Sequence, residues 1–270
     1  MRNLIAVLLA GCSVLSFAQT TPIQPHIADA DTLQLWHLDE TSGNYSNSIS
    51  GGMTLFNWGQ RGNYGEPAFT GFGNAWGAVP ATNSNLQVTN VNWAVGGNMR
   101  GATGAFTWEM LIRPDLAASS GVAQRLIQSQ NDMHLSLTYN AAQGYVYLTY
   151  WDVILNANPF QIRLDTLGAN AYTAGKWFHV AVTYDGTGSG SVYWTALDNY
   201  TGTANQIGTF STIGINSYTS SSIAFGGAIN SGGTGFDGAI DEIRISNTVR
   251  NSNDFLTEKE PQKVKLIIIQ

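Results

Sequence analysis

A single cysteine, Cys12, stands in a chain of 270 residues, so no intramolecular disulfide can form. Charge is scarce too: 12 Lys and Arg against 18 Asp and Glu, a formal net charge of −6. No Lys/Arg cluster precedes the C-terminal tail, which removes the electrostatic footprint of a nucleic-acid binder. Helix-favouring Lys, Glu and Arg are few, and no 15-residue window has convincing helical periodicity. No apolar run is long enough to span a bilayer. The four histidines, His26, His37, His134 and His179, have no metal-ligand spacing, no serine lies in a Gly-x-Ser-x-Gly elbow, and Gly175-Lys176 lacks the upstream glycine of a phosphate-binding loop.

What remains is apolar, aromatic and glycine-rich. With 43% hydrophobic and 11% aromatic residues and 30 glycines, the chain can bury a large core and turn often, and an all-β domain follows. Its surface must be kept in water by Asn, Ser and Thr rather than by charge.

The chain divides into four parts. Residues 1–18 have a basic start at Arg2, an apolar stretch from Leu4 to Phe17 and small residues before Gln19, the pattern of a cleaved secretory signal. A lipobox reading, Leu9-Ala10-Gly11-Cys12, competes with it and would lipidate Cys12; secretion is preferred because residues 13–17 stay apolar. A polar leader covers 19–32, a β-domain 33–256, and a tail 257–270 ends in Val264-Lys265-Leu266-Ile267-Ile268-Ile269-Gln270. That tail is strand-prone and is expected to pair with a sandwich edge or another chain.

Strands are expected at 33–38, 66–70, 75–80, 106–113, 125–130, 134–139, 145–152, 160–164, 206–210, 222–226 and 236–246. A hairpin is centred on GKWFHVAVTYDG (175–186). There Phe178, Val180, Val182 and Tyr184 share one face, and Trp177, His179, Ala181 and Thr183 the other. Trp36, Trp108 and Trp177 are expected in or near the core. Glu109, flanked by apolar residues, is expected to satisfy a polar group on a neighbouring strand.

Four segments, LWHLDETSG (35–43), FTWEMLIRP (106–114), GKWFHVAVTYDG (175–186) and FDGAIDEIRIS (236–246), resemble in order and spacing the laminin-G-like jelly-roll domains of the concanavalin A-like lectin/glucanase superfamily. The resemblance implies two antiparallel sheets packed face to face, with the first and last strands adjacent. It also implies a bound calcium, for which Asp39, Glu40 and Asp241 are the candidate ligands. Two departures stand out: Asn47 occupies a place where the family often has Asp, and the hairpin lacks a short Asp/Asn-Gly turn. The bland alternative makes Asp39 a turn cap and pairs Glu242 with Arg244 or Lys176.

Glycan is the first-choice partner, because exposed rings are good platforms for sugars; Trp58, Tyr64, Trp76, Trp93, Tyr147 and Trp151 are the candidate ligand-binding residues. Core packing is the competing use of the same rings. A cell-surface or matrix protein is the second-choice partner. No catalytic residue is assigned. Glycoside hydrolysis needs two carboxyls ~5 Å or ~6.5–9.5 Å apart. Asp241 and Glu242 are consecutive and, in a regular strand, point to opposite faces; Asp237 and Asp241 would lie about 13 Å apart.

Overall fold

The computed structural model describes residues 23–58, 62–79, 84–117, 120–129, 133–151, 159–211, 221–229 and 235–258. The signal segment 1–18 and the apolar end of the tail lie outside the described residues.

In chain order the strands are β1 Ile23–Gln24, β2 Thr32–Trp36, β3 Phe56–Trp58, β4 Asn63–Pro67, β5 Asn74–Ala78, β6 Asn85–Val91, β7 Phe106–Pro114, β8 Ala123–Ser129 and β9 His134–Asn140. They continue with β10 Tyr145–Trp151, β11 Phe160–Arg163, β12 Phe178–Tyr184, β13 Ser189–Ala196, β14 Gln206–Ser211, β15 Ser221–Phe225, β16 Gly238–Ser246 and β17 Thr257–Glu258. Two antiparallel sheets form a sandwich of the jelly-roll kind. One runs β11-β10-β9-β8-β15-β6-β3; the other runs β14-β13-β12-β7-β16-β5-β4, with β2 also on β16. The first and last long strands, β2 and β16, are neighbours, as the resemblance implies.

Alternation decides which residues enter the core. Phe178, Val180, Val182 and Tyr184 face the opposing sheet with Trp36, Trp108, Met110 and Ile112, whereas Ala181 and Trp177 join a second apolar cluster on the outer side of the eight-stranded sheet. That outer side is covered: Phe255, Leu256, Leu197 and Ala204 lie on it, and β1 pairs with β17. The hairpin turn is held by Asp185, whose Oδ1 accepts the amides of Thr187, Gly188 and Ser189 at 2.7, 2.9 and 3.0 Å.

Three details differ from the sequence expectations. Strand β6 lies in sequence expected to be loop-like; Leu86, Val88 and Val91 anchor it in the core. Strand β4 begins at Asn63, earlier than the expected 66. Most consequential, the ladder between β16 and β7 slips between Asp241 and Arg244, and Glu242 sits at φ 51°. A β-bulge inserts one residue, so regular alternation fails there. The carboxyls of Asp241 and Glu242 consequently do not take opposite faces: the Asp241 carboxylate accepts the Glu242 amide at 2.8 Å, while the Glu242 carboxylate reaches the N-terminal segment on the outer side, accepting the His26 amide at 2.6 Å.

Candidate functional site

The two sides of the sandwich are closed differently. At one, edge strands β11 and β14 meet, and a Cβ on Gly208 would come within 2.7 Å of the Phe160 ring. At the other, edge strands β3 and β4 flank a cleft of about 740 Å³ lined by Ser42, Asn44, Asn57, Asn63, Tyr64 and Glu66, with Gly43 and Gly62. Tyr64 is a fixed wall: its ring stacks on buried Tyr45 at 5.7 Å and its hydroxyl donates to the Gly43 carbonyl at 2.5 Å. Asn57 is buried at 5% exposure. Its amide approaches the Gly62 carbonyl at 3.5 Å, and its Oδ1 has no protein partner. An unserved buried acceptor costs about 1–3 kcal/mol, so a ligand hydroxyl or a water is favoured there.

Of the ring residues proposed as ligand contacts, Tyr64 lines this cleft and Trp58 is exposed (52%) on β3, where strand alternation turns it away from Asn57. Phe56, exposed at 37%, shares the Trp58 side. Trp76 and Trp93 are corrected: both are buried in the core, at 0% and 1% exposure. Trp93 meets Trp108 edge-on at 5.1 Å, and a Cβ on Gly62 would lie 2.0 Å from Trp76 Nε1. Neither ring can reach a sugar in solution. Tyr147 and Trp151 are half-buried on the seven-stranded sheet, far along it from β3. Tyr147 donates its hydroxyl hydrogen to Tyr145 at 3.0 Å, and Trp151 stacks on His134 at 5.2 Å. The six rings therefore do not form one platform.

A second region is the acidic corner where β16 exchanges β5 for β2 as its neighbour. His37, Asp39, Glu40, Ser46, Asn47 and Ser48 line a small pocket there, about 310 Å³. Asp39 Oδ1 accepts the Asn74 amide at 2.8 Å, and Glu40 Oε1 accepts the Ser46 amide at 2.7 Å. Asp241 is fully buried and its Oδ2 has no protein partner. Burial, with Glu242 beside it, pushes the Asp241 carboxyl well above the usual range. His37 Nδ1 and Glu242 Oε1 share a 2.6 Å hydrogen bond, which raises the imidazole pKa. Burial pushes the Glu242 carboxyl up, and His37 pulls it partly back. Glu242 thus pairs with neither Arg244 nor Lys176, which binds Asp198 at 3.2 Å. Asn47 is a neutral latch: Nδ2 donates to Gln34 Oε1 at 2.7 Å, while Oδ1 accepts the Ile49 amide at 2.8 Å.

Among the described residues, the one set of three candidate metal ligands that converges is a different one. Atoms of His26, Glu109 and His179 lie within 4.8 Å of one another, all buried. Residues so far apart in sequence carry no spacing signal, and this convergence is invisible in the primary structure. Glu109 serves both neighbouring strands: it accepts Arg244 Nε at 2.7 Å from β16 and bonds His179 Nε2 at 3.1 Å from β12. Arg250 Nε stands 3.7 Å from the same carboxylate. Two guanidinium groups already neutralise Glu109, and a dication would face both of them in a dry site. The arrangement is an ionic fastening of the N- and C-terminal segments to the sheet, with Arg250 completing it through two bonds to Asp29 at 2.8 and 2.7 Å. Asp39, Glu40 and Asp241 do not form such a converged set.

A laminin-G family model, described as concanavalin A-like lectin/glucanases superfamily, matches residues 80–254. No curated protein sequence matches the chain. Among solved structures, the chain is similar to the botulinum neurotoxin serotype D binding domain, with 12% identity and a TM-score of 0.53, covering 83% of this chain and 50% of that one. It is similar to domain 4 of AbnA, a GH43 extracellular arabinanase from Geobacillus stearothermophilus in complex with arabinotriose, with 16% identity and a TM-score of 0.53, covering 84% and 98%. It is also similar to Trypanosoma rangeli sialidase in complex with sialic acid, with 15% identity and a TM-score of 0.57, covering 88% and 35%. The chain spans about half the length of the toxin binding domains it matches. At these identities the likeness is one of fold.

Proposed function

The chain belongs to the concanavalin A-like lectin/glucanases superfamily, and from that membership we propose that it is a secreted, non-catalytic carbohydrate-binding module. Its glycan seat is the cleft between β3 and β4. The observation that carries this reading is Asn57 Oδ1, a buried acceptor without a partner in an amide-lined cleft. A volume of about 740 Å³ falls within the ~300–1,000 Å³ usual for small-ligand sites. Support also comes from structures of the same fold whose ligands are arabinotriose and sialic acid.

Binding rather than hydrolysis follows from the lining. Glycoside cleavage takes two carboxyls, and among the described lining residues Glu66 is the lone carboxylate, 3.7 Å from Arg113. Calcium is the finer part of the proposal. Asp241 Oδ2, buried and unserved, fits a cation, and Asp241 with Asp39 would hold it, supplying an electrostatic tie between β16 and the turn after β2. Export through residues 1–18 belongs to the same proposal, with lipidation at Cys12 as its competitor; mass measurement of the mature protein's N-terminus separates the two.

The test is a glycan-array screen of the purified protein with calcium and with chelator, followed by a reducing-sugar release assay on each glycan bound. Binding without release is expected. Release of sugar would overturn the non-catalytic reading, and binding to no glycan would move the function to protein adhesion, for which exposed Phe56 and Trp58 on one side of edge strand β3 are the surface to test.

A further inference from the structure

We infer that the cleft between β3 and β4 selects a short, uncharged oligosaccharide and discriminates against sialylated, uronated or sulfated glycans. The inference rests on the carbohydrate-binding reading above and adds the chemical class of ligand.

Three separate segments bring primary amides to one place: Asn44 from the turn after β2, Asn57 from β3 and Asn63 from β4. An amide presents both a donor and an acceptor, as does a sugar hydroxyl, so neighbouring hydroxyls can be served in both senses at once. Asn57 fixes the deepest contact, since its free Oδ1 can accept and cannot donate. Ser42 adds a hydroxyl at the rim, and the immobilised Tyr64 ring gives an apolar wall.

Charge points the same way. None of the described lining residues is basic, and the one ionised group is the Glu66 carboxylate. Its partner Arg113 is not part of the lining and is itself held by Asp115 at 3.0 Å. A ligand carboxylate or sulfate entering the cleft would lose water without gaining a cation, beside a like charge, on a protein of net charge −6. A neutral sugar pays neither cost.

The experiment measures affinities for neutral oligosaccharides, each paired with its own sialylated or sulfated counterpart, on wild type, Asn57→Ala and Glu66→Lys, all checked for folding by melting temperature. The expected result has three parts: each neutral member binds at least about tenfold tighter than its charged counterpart; Asn57→Ala weakens neutral binding about tenfold or more; Glu66→Lys shifts the preference toward the charged member. Charged members binding equally well in an Asn57-dependent manner would overturn the inference and leave the carbohydrate-binding reading standing. Glycan binding insensitive to Asn57→Ala would overturn the placement in this cleft. Absence of binding to every glycan of either kind would remove the underlying reading itself.

Discussion

Replacing Glu109 by Gln should be the most damaging isosteric change in the molecule, and its size can be worked from contacts. The carboxylate is fully buried and is the acceptor for Arg244 Nε at 2.7 Å and His179 Nε2 at 3.1 Å, with His26 Nε2 at 3.5 Å and Arg250 Nε at 3.7 Å. Burial alone would push its pKa up, but Arg244, His26 and His179 outweigh burial and hold it well below the usual carboxylate range. Gln keeps the shape and removes the charge. Arg244 keeps two carbonyl acceptors, Asp254 at 3.1 Å and Phe255 at 3.0 Å, but loses its counter-ion. Breaking one partner out of a buried pair costs about 3–5 kcal/mol. At about 2–4 °C per kcal/mol for a domain of this size, the melting temperature should fall by roughly 6–20 °C. Glu66→Gln, which disturbs a more exposed ion pair with Arg113, should cost only about 0–1 kcal/mol. The assay is urea denaturation with calorimetry on both variants, together with the double change Glu109→Leu/Arg244→Met, which should recover much of the loss. A Glu109→Gln cost below about 1 kcal/mol would refute the view that this carboxylate holds the terminal segments to the sheet.

Asp241→Asn keeps an acceptor for the Glu242 amide and removes a buried, unserved anionic oxygen. In chelator it should raise stability by about 1–3 kcal/mol, and it should abolish any calcium-dependent rise in melting temperature; a calcium response equal to wild type would take Asp241 out of the site. The strap 23–32 should open more readily in acid. Burial, with Arg244 beside it, keeps His26 neutral well below pH 6.5, whereas the released imidazole regains an ordinary pKa of about 6.5. The folded pKa is the depressed one, so stability is lost as pH falls below about 6.5, by up to ~1.4 kcal/mol or tenfold in opening per pH unit. Glu109, His179 and Arg250 also face the ring, and Glu242, which accepts the His26 amide and whose carboxyl is pushed up, opposes part of the effect. Hydrogen exchange of 23–32, corrected for intrinsic rates, should show this slope and His26→Phe should flatten it; equal slopes would exclude His26 as the proton acceptor.

The layered architecture was readable because period-two alternation is a backbone property: Phe178 to Tyr184 face the core and His179 the other side whatever the loops do. Functional placement was less readable, for two physical reasons. A bulge breaks the alternation rule locally, which moved Glu242 against His26 and His37. Aromatic rings flanked by Gly and Asn look exposed in sequence, yet such flanks also let backbone lie directly on a ring. Trp76 is the case in point. It was expected in the ligand site, and instead its indole lies against Gly62, so close that a Cβ there would stand 2.0 Å from Nε1 and 2.2 Å from Cε2. Gly62 is thus required by contact, not by a left-handed backbone, and the ring beneath it has no room to retreat because Trp76 is fully buried. Gly62→Ala should therefore cost about 1–3 kcal/mol, the range for overpacking, and because Gly62 also lines the cleft it should weaken glycan binding along with it. Calorimetry and binding titration on the same preparation test both. An Ala variant that melts with wild type would show that the indole is free to yield, and would return Trp76 to the list of rings able to meet a ligand.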